Sequence, residues 1–198
     1  MPIYSFQGMV PVVDPSAYVH PTAVLIGDVI VGAGVYVAPC AVLRGDFGRL
    51  LIEEEANIQD HCVLHGFPDR DTVVERLGHI GHHAIIHGAI VRRNAMIGMS
   101  AVLLDYCEIG ADSIVAAQAL VRANEIVPPR SMMAGIPAKR IREVTEKDLE
   151  WKRLATIDYK RLPPLYHAHQ KPAEPLKAVE TNRPRAYACE SPPKHEVR

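Results

Sequence analysis

An aliphatic residue returns every six positions along most of this chain. The first run is Val13, Val19, Leu25, Val31, Val37 and Leu43, and after a slip of three residues the beat resumes at Ile52, Ile58 and Leu64. Beyond a loop it continues through Val74, Ile80 and Ile86. One five-residue step leads to Val91, and Ile97, Leu103, Ile109, Val115, Val121 and Val127 then keep time. Four positions after most of these beats stands a small residue: Ala17, Ala23, Ala41, Ala56, Cys62, Ala84, Ala95, Ala101, Cys107, Ser113 or Ala119.

Strand geometry explains the pattern. Side chains alternate across a strand, so the beat residue points inward while its neighbour points out. The small residue leaves room for a tight bend. Three such strands close one triangular coil of eighteen residues, and stacked coils pair their backbones with the coils above and below. A helix would need apolar residues at three- and four-residue spacing, which these segments lack. The chain is therefore expected to be an all-β solenoid, a parallel β-helix of hexapeptide repeats over residues 10–140.

Gly135 to Arg142 ends the repeats. Thr145, followed by Glu146 and Asp148, has the form of a capped helix start. Leu149, Leu154, Ile157 and Leu162 would give one apolar face, so the expectation is a C-terminal helix over 145–162 that covers the last open coil edge. Pro163-Pro164 is expected to stop it, leaving 163–198 as a Pro-rich extended tail.

Assigning the beats to three faces sorts the outward residues into columns. Val13, Val31, Ile52, Val74, Val91 and Ile109 mark the first face. Val19, Val37, Ile58, Ile80 and Ile97 mark the second, and Leu25, Leu43, Leu64, Ile86 and Leu103 the third. One residue after the beat on the third face come Arg44, His65 and His87 in successive coils. Two after the beat on the second face, Asp60 and His82 stack in the same way. His82 thus points round a corner from the other two histidines of its own chain. It can join them only if a neighbouring copy presents its second face, which makes a homotrimer with a site at each seam.

Three histidines with one coordination position open suit a catalytic metal, with zinc expected and iron or cobalt as alternatives. Such an ion would bring bound water near a pKa of about 7 and supply hydroxide. The competing reading is a hydrated, histidine-rich outer face, and His61 and His83, which also stack, are rival ligands. Arg44 can pair with a carboxylate across the seam, Asp46 and Asp60 being the natural partners. Gln59 could bind metal-bound water or substrate, or be an ordinary exposed strand residue.

Composition narrows the function classes. Net charge is −1, with 22 basic and 23 acidic residues, which gives no electrostatic case for nucleic acid or an anionic membrane. No signal-peptide pattern opens the chain, and no apolar run of about 18 or more residues occurs, so a cytoplasmic protein is expected. The cysteines at 40, 62, 107 and 189 lack CxxC spacing; Cys62 and Cys107 fall on small buried repeat positions and read as reduced packing residues.

Arg44-x-Asp46, Gln59-Asp60, His65 and His82-x4-His87 resemble, in order, the motif of the γ-class carbonic anhydrase family of left-handed β-helical trimers. Gly45 to Arg49, His65 to Pro68, Asp71 to Glu75 and the Gly135-to-Trp151 segment are similar to a branch of hexapeptide-repeat proteins tied to phenylacetate degradation and carnitine metabolism. The resemblance implies a left-handed helix and a metal-dependent thioesterase acting on ring-hydroxylated or dead-end acyl-CoA substrates of phenylacetate catabolism. It implies His65, His82 and His87 as metal ligands, Arg44, Asp46 and Asp60 as interface and supporting residues, Gln59 beside the hydroxide and Tyr159 approaching from the terminal helix. Phe47 stands where efficient anhydrases carry a glutamate, and the acidic proton-shuttling run after His65 is missing, which implies slow carbon dioxide hydration. The alternatives are a γ-type carbonic anhydrase, a CoA-dependent acyltransferase with a histidine base and no metal, and a non-catalytic accessory protein of carnitine metabolism.

Overall fold

The structure is a computed structural model and describes residues 2–184. The repeat folds as the spacing dictates: a parallel β-solenoid of about seven turns with one C-terminal helix, matching a left-handed β-helix of hexapeptide repeats. Every beat residue from Val19 to Val127 is buried, and so is each small residue four positions on. The three predicted faces are real. Val13, Val31, Ile52, Val74, Val91 and Ile109 pair in line on the first. Val19, Val37, Ile58, Ile80 and Ile97 do so on the second, and Leu25, Leu43, Leu64, Ile86 and Leu103 on the third. Pairing of Ile3 with Leu25 extends the solenoid towards the amino terminus, before residue 10.

The corners have a finer rule than the small residue alone. At most corners the residue three after a beat adopts positive φ, as at Cys40 (59°), His61 (57°), Leu77 (61°), His83 (62°) and Ser100 (58°). This left-handed conformation costs side chains energy, and stacked backbone hydrogen bonds sustain it: the Ser100 N–H donates to His82 O at 2.8 Å, one coil below. His61 and His83 are therefore exposed corner residues with stacked rings 4.9 Å apart. The three-residue slip near 44–51 is a different corner. There Val42–Ile52 runs as one continuous strand from the third face to the first.

Helix α1 (Glu146–His169) starts at the predicted cap: Thr145 and Asp148 form a reciprocal capping box. It does not end at residue 162. Pro163 and Pro164 lie inside it, and the helix runs on to His169, a correction to the expected boundary. Packing of Tyr159, Leu162 and Tyr166 on Tyr18 and Tyr36 holds this last stretch to the second face. His167 Nε2 adds a hydrogen bond with Ala17 O at 3.0 Å. The packed stripe also differs from the expected Leu149, Leu154, Ile157 and Leu162. Only Leu149 and Leu162 join clusters on the solenoid, and the most buried helix residues include Asp148, Lys152, Thr156 and Pro163. Residues 170–184 form no regular element and are exposed; the rest of the expected tail, 185–198, lies outside the described residues.

Candidate functional site

The outward column on the third face forms as the spacing requires, with Arg44 beside His65 and His65 beside His87 in the strand register. One line of polar contacts results. Arg44 Nη1 donates to Asp46 Oδ2 at 2.6 Å, Asp46 Oδ1 lies 3.0 Å from His65 Nε2, and His65 Nδ1 lies 3.0 Å from His87 Nε2. His87 Nδ1 in turn bonds Asp105. Arg44 thus finds its carboxylate within its own chain. Phe47 and Phe67 flank the pair, with ring centroids 5.3 Å from His65 and 5.6 Å from His87. The 66–73 loop is pinned by Arg70, which donates to Tyr106 O at 2.9 Å.

The protonation pattern follows from these partners. Burial works against ionisation of Asp46, but hydrogen bonds from Arg44 and His65 overcome it and hold the carboxyl below its ordinary range. Burial, aided by the Arg44 charge, pushes His65 below the usual imidazole value despite Asp46. A neutral His65 donates its Nε2–H to Asp46 and leaves Nδ1 as a lone pair. If His87 donates its Nδ1–H to Asp105, its Nε2 is a lone pair too. Two acceptors then face each other, so the gap suits a proton or another electrophile.

His82 lies elsewhere, as its column predicts. Its Nδ1 is 2.6 Å from Asp60 Oδ2 on the second face, away from His65 and His87. Among the described residues, no group of three His, Cys, Asp or Glu side chains is placed to hold a metal ion within the chain. Gln59, read as either exposed or functional, is buried. It accepts from the His82 backbone N–H at 3.2 Å and donates to Asn57 Oδ1 at 3.0 Å and to His79. Tyr159 packs edge-on against His79, centroids 5.0 Å apart, and lines a cavity with Gln59 and His82 rather than approaching the histidine pair of its own chain. Sequence reasoning missed Asp105, His79 and Lys152. Asp105 stands two after the beat Leu103, beside Leu104, which continues the His87 column, and His79 shares the position before the beat with Tyr18, Tyr36 and Asn57. The His79 column was readable from the repeat.

Coils and column together define a hexapeptide-repeat β-helix protein carrying an outward histidine pair. No protein-family model matches the chain. It is 50% identical over 185 residues to the carnitine operon protein CaiE of Proteus sp., covering 93% of this chain and 94% of that relative. The CaiE protein of Escherichia coli K12 matches at 50% over the same shares. The chain belongs to the CaiE family. Among solved structures, a candidate acetyltransferase of Bacillus cereus superposes with a TM-score of 0.83 at 32% identity, covering 85% of this chain and 98% of that one. A hexapeptide transferase family protein of Anaplasma phagocytophilum gives 0.80 at 32%, covering 83% and 98%.

These findings correct the expectation of a metal-dependent hydrolase of the γ-carbonic anhydrase family. The relatives carry the name of a carnitine operon, and the structural neighbours are described as transferases. The physical reason the motif misled is that its residues sit at repeat positions. A shared hexad places histidines and acids in the same columns whatever chemistry the column serves. Among the described residues, no helix is long and apolar enough to cross a membrane.

Proposed function

We propose that the chain handles acyl-CoA thioesters in carnitine metabolism through an acyltransferase-type site centred on His87. The observation that carries this reading is the line Asp105–His87–His65–Asp46, which orients two imidazoles and leaves nitrogen lone pairs available to take a proton. His87 acts as general base: it removes a proton from an acceptor hydroxyl or amine, the freed lone pair attacks the thioester carbonyl, and the carbon–sulfur bond breaks. The same imidazolium then returns its proton to the departing CoA thiolate. Phe47, Phe67 and the neighbouring strands would shield the reacting carbonyl from water. The transferase names of the structural neighbours support this chemistry, and the name of the CaiE relatives supports the link to carnitine.

The test is acceptor-dependent CoA release from a panel of acyl-CoAs, with hydroxylated trimethylammonium acids as acceptors. His87→Ala should lower kcat/KM by about 10²-fold or more, the usual weight of a positioned base. Absence of acceptor-dependent release with every thioester would refute the proposal. It would favour a non-catalytic accessory role, which the operon-based naming of the relatives also suits.

The trimer and the divalent ion together are a separate reading, in which His87 is a ligand and not the base. The facing nitrogens of His65 and His87 fit two ligands of a zinc, iron or cobalt ion, and His82 of a second copy would be the third. Such an ion would polarise a carbonyl held at the seam. Light scattering for three copies, and one metal per chain by elemental analysis, are the expected results; a monomer would exclude this arrangement.

A further inference from the structure

The position before the beat on the second face forms an outward column, buried except for the half-buried Met96: Tyr18, Tyr36, Asn57, His79, Met96, Ile114 and Met132. Helix α1 covers it, with a hydrophobic cluster at each end of the column. Tyr18 and Tyr36 meet Tyr159, Leu162 and Tyr166 at one end, while Ile114, Met132 and Met96 meet Val144 and Leu149 at the other. Between these clusters the helix bridges a cavity of about 510 Å³, within the range of about 300–1,000 Å³ usual for small-molecule sites. Met96, Met99, Met132, Ile114 and Trp151 give it apolar walls. His82 and Met99 stand at its exposed side, their exposures being 40% for the His82 side chain and 56% for Met99.

One polar group in this wall has no protein partner. His79 is 3% exposed, and its Nδ1 bonds nothing. The hydrogen bonds around it fix which tautomer is present. Gln59 accepts from the His82 N–H, so its oxygen faces that way and its amide nitrogen faces His79 Nε2. His79 Nε2 must accept, which places the ring proton on Nδ1. Burial pushes the His79 pKa down to about 3, so the ring stays neutral near pH 7. His79, one of the lining residues, thus carries a buried N–H donor with no protein acceptor, and leaving such a donor unmet is unfavourable.

We propose that this cavity binds the acyl group of the CoA thioester, its hydrocarbon against Met96, Met99, Met132 and Trp151 and its carbonyl oxygen on His79, with the base supplied across the seam by His87 of a neighbouring copy. The proposal rests on the acyl-CoA reading above and names the part of the substrate that the second face selects. Apolar walls reject a charged or strongly hydrated acyl group, whereas one acceptor oxygen meets the donor.

Trp151 is the sole tryptophan of the chain and lines the cavity, so its emission reports occupancy. The protein is titrated with hexanoyl-CoA, with CoA, and with the N-acetylcysteamine thioester of hexanoate, which lacks the nucleotide. Hexanoyl-CoA is expected to bind at least about ten times more tightly than CoA and to shift Trp151 emission, which CoA leaves unchanged. Ala155→Phe, which fills the cavity from the helix, should bring hexanoyl-CoA down to the affinity of CoA. His79→Leu should weaken hexanoyl-CoA about 3- to 10-fold while leaving CoA binding unchanged. Circular dichroism and the unliganded Trp151 spectrum confirm that each variant is folded. Equal affinities for CoA and hexanoyl-CoA with an unshifted spectrum would overturn the cavity assignment and leave the acyl-CoA reading standing. A shift by the short thioester without any binding of CoA thioesters would support the cavity and remove the acyl-CoA reading. No response to any of the three would overturn both.

Discussion

At the scale of single residues, the chemistry depends on how the ring nitrogens are shared out. Asp105 keeps the His87 Nδ1–H engaged, so removing its charge should matter more than its size suggests. Asp105→Asn presents either an amide N–H or an oxygen, and the ring can turn its proton round. The expected result is a loss of about 10²-fold or more in kcat/KM for CoA-dependent transfer with unchanged folding, read from initial rates. Asp46→Asn should be milder, since it acts through His65. His79 makes a separate prediction on the acid side. Its folded pKa lies near 3, against about 6.5 unfolded, so between those values the unfolded state holds the extra proton. Stability therefore falls as pH drops from about 6.5 towards 3. His79→Leu should flatten that part of the urea-midpoint profile.

At the scale of the element, helix α1 is the least obvious piece. Its packed side carries Lys152, fully buried, which donates to Leu77 O and Asn94 Oδ1, both at 2.6 Å. Burial brings its amine down to about 7, whereas an unfolded lysine ionises near 10.4. Between these values the unfolded chain binds more protons, so this lysine makes stability rise with pH. Lys152→Met should lose that rise, measured as the change in urea midpoint between pH 7 and 8. The window stops there because the buried Cys62 and Cys107 thiols, pushed up to about 12, have the opposite effect once unfolded thiols ionise near 8.5. Strand beats are simpler. Ile80→Ala removes a fully buried side chain from the stacked core and should cost about 2–5 kcal/mol, read by denaturant unfolding. A substitution at Gly66 should also destabilise, because an added Cβ would sit 1.8 Å from Gly48 O.

Across the whole molecule, the solenoid was written in the chain because one period fixes everything: face, register and inward direction follow from counting by six. That is why Arg44, His65 and His87 fall in line, why His82 and Asp60 pair on another face, and why Cys62 and Cys107 are buried. Counting failed where a helix meets the solenoid. Pro163 and Pro164 signal a stop, yet aromatic packing carries the helix past them. Gln59 and His79 look like surface residues until α1 is laid over their column. Function was less legible for a related reason. A repeat places histidines in columns for any member of the architecture, so the motif spoke for hydrolysis, whereas the relatives are named for a carnitine operon and a structural neighbour for acetyl transfer.

The most direct measurement is mass-spectrometric product analysis after incubation with an acyl-CoA and a hydroxylated acceptor. The account predicts acylated acceptor and free CoA in equal amounts, both lost in His87→Ala. Free acid with no acylated acceptor, or the same yield from His87→Ala, would contradict it.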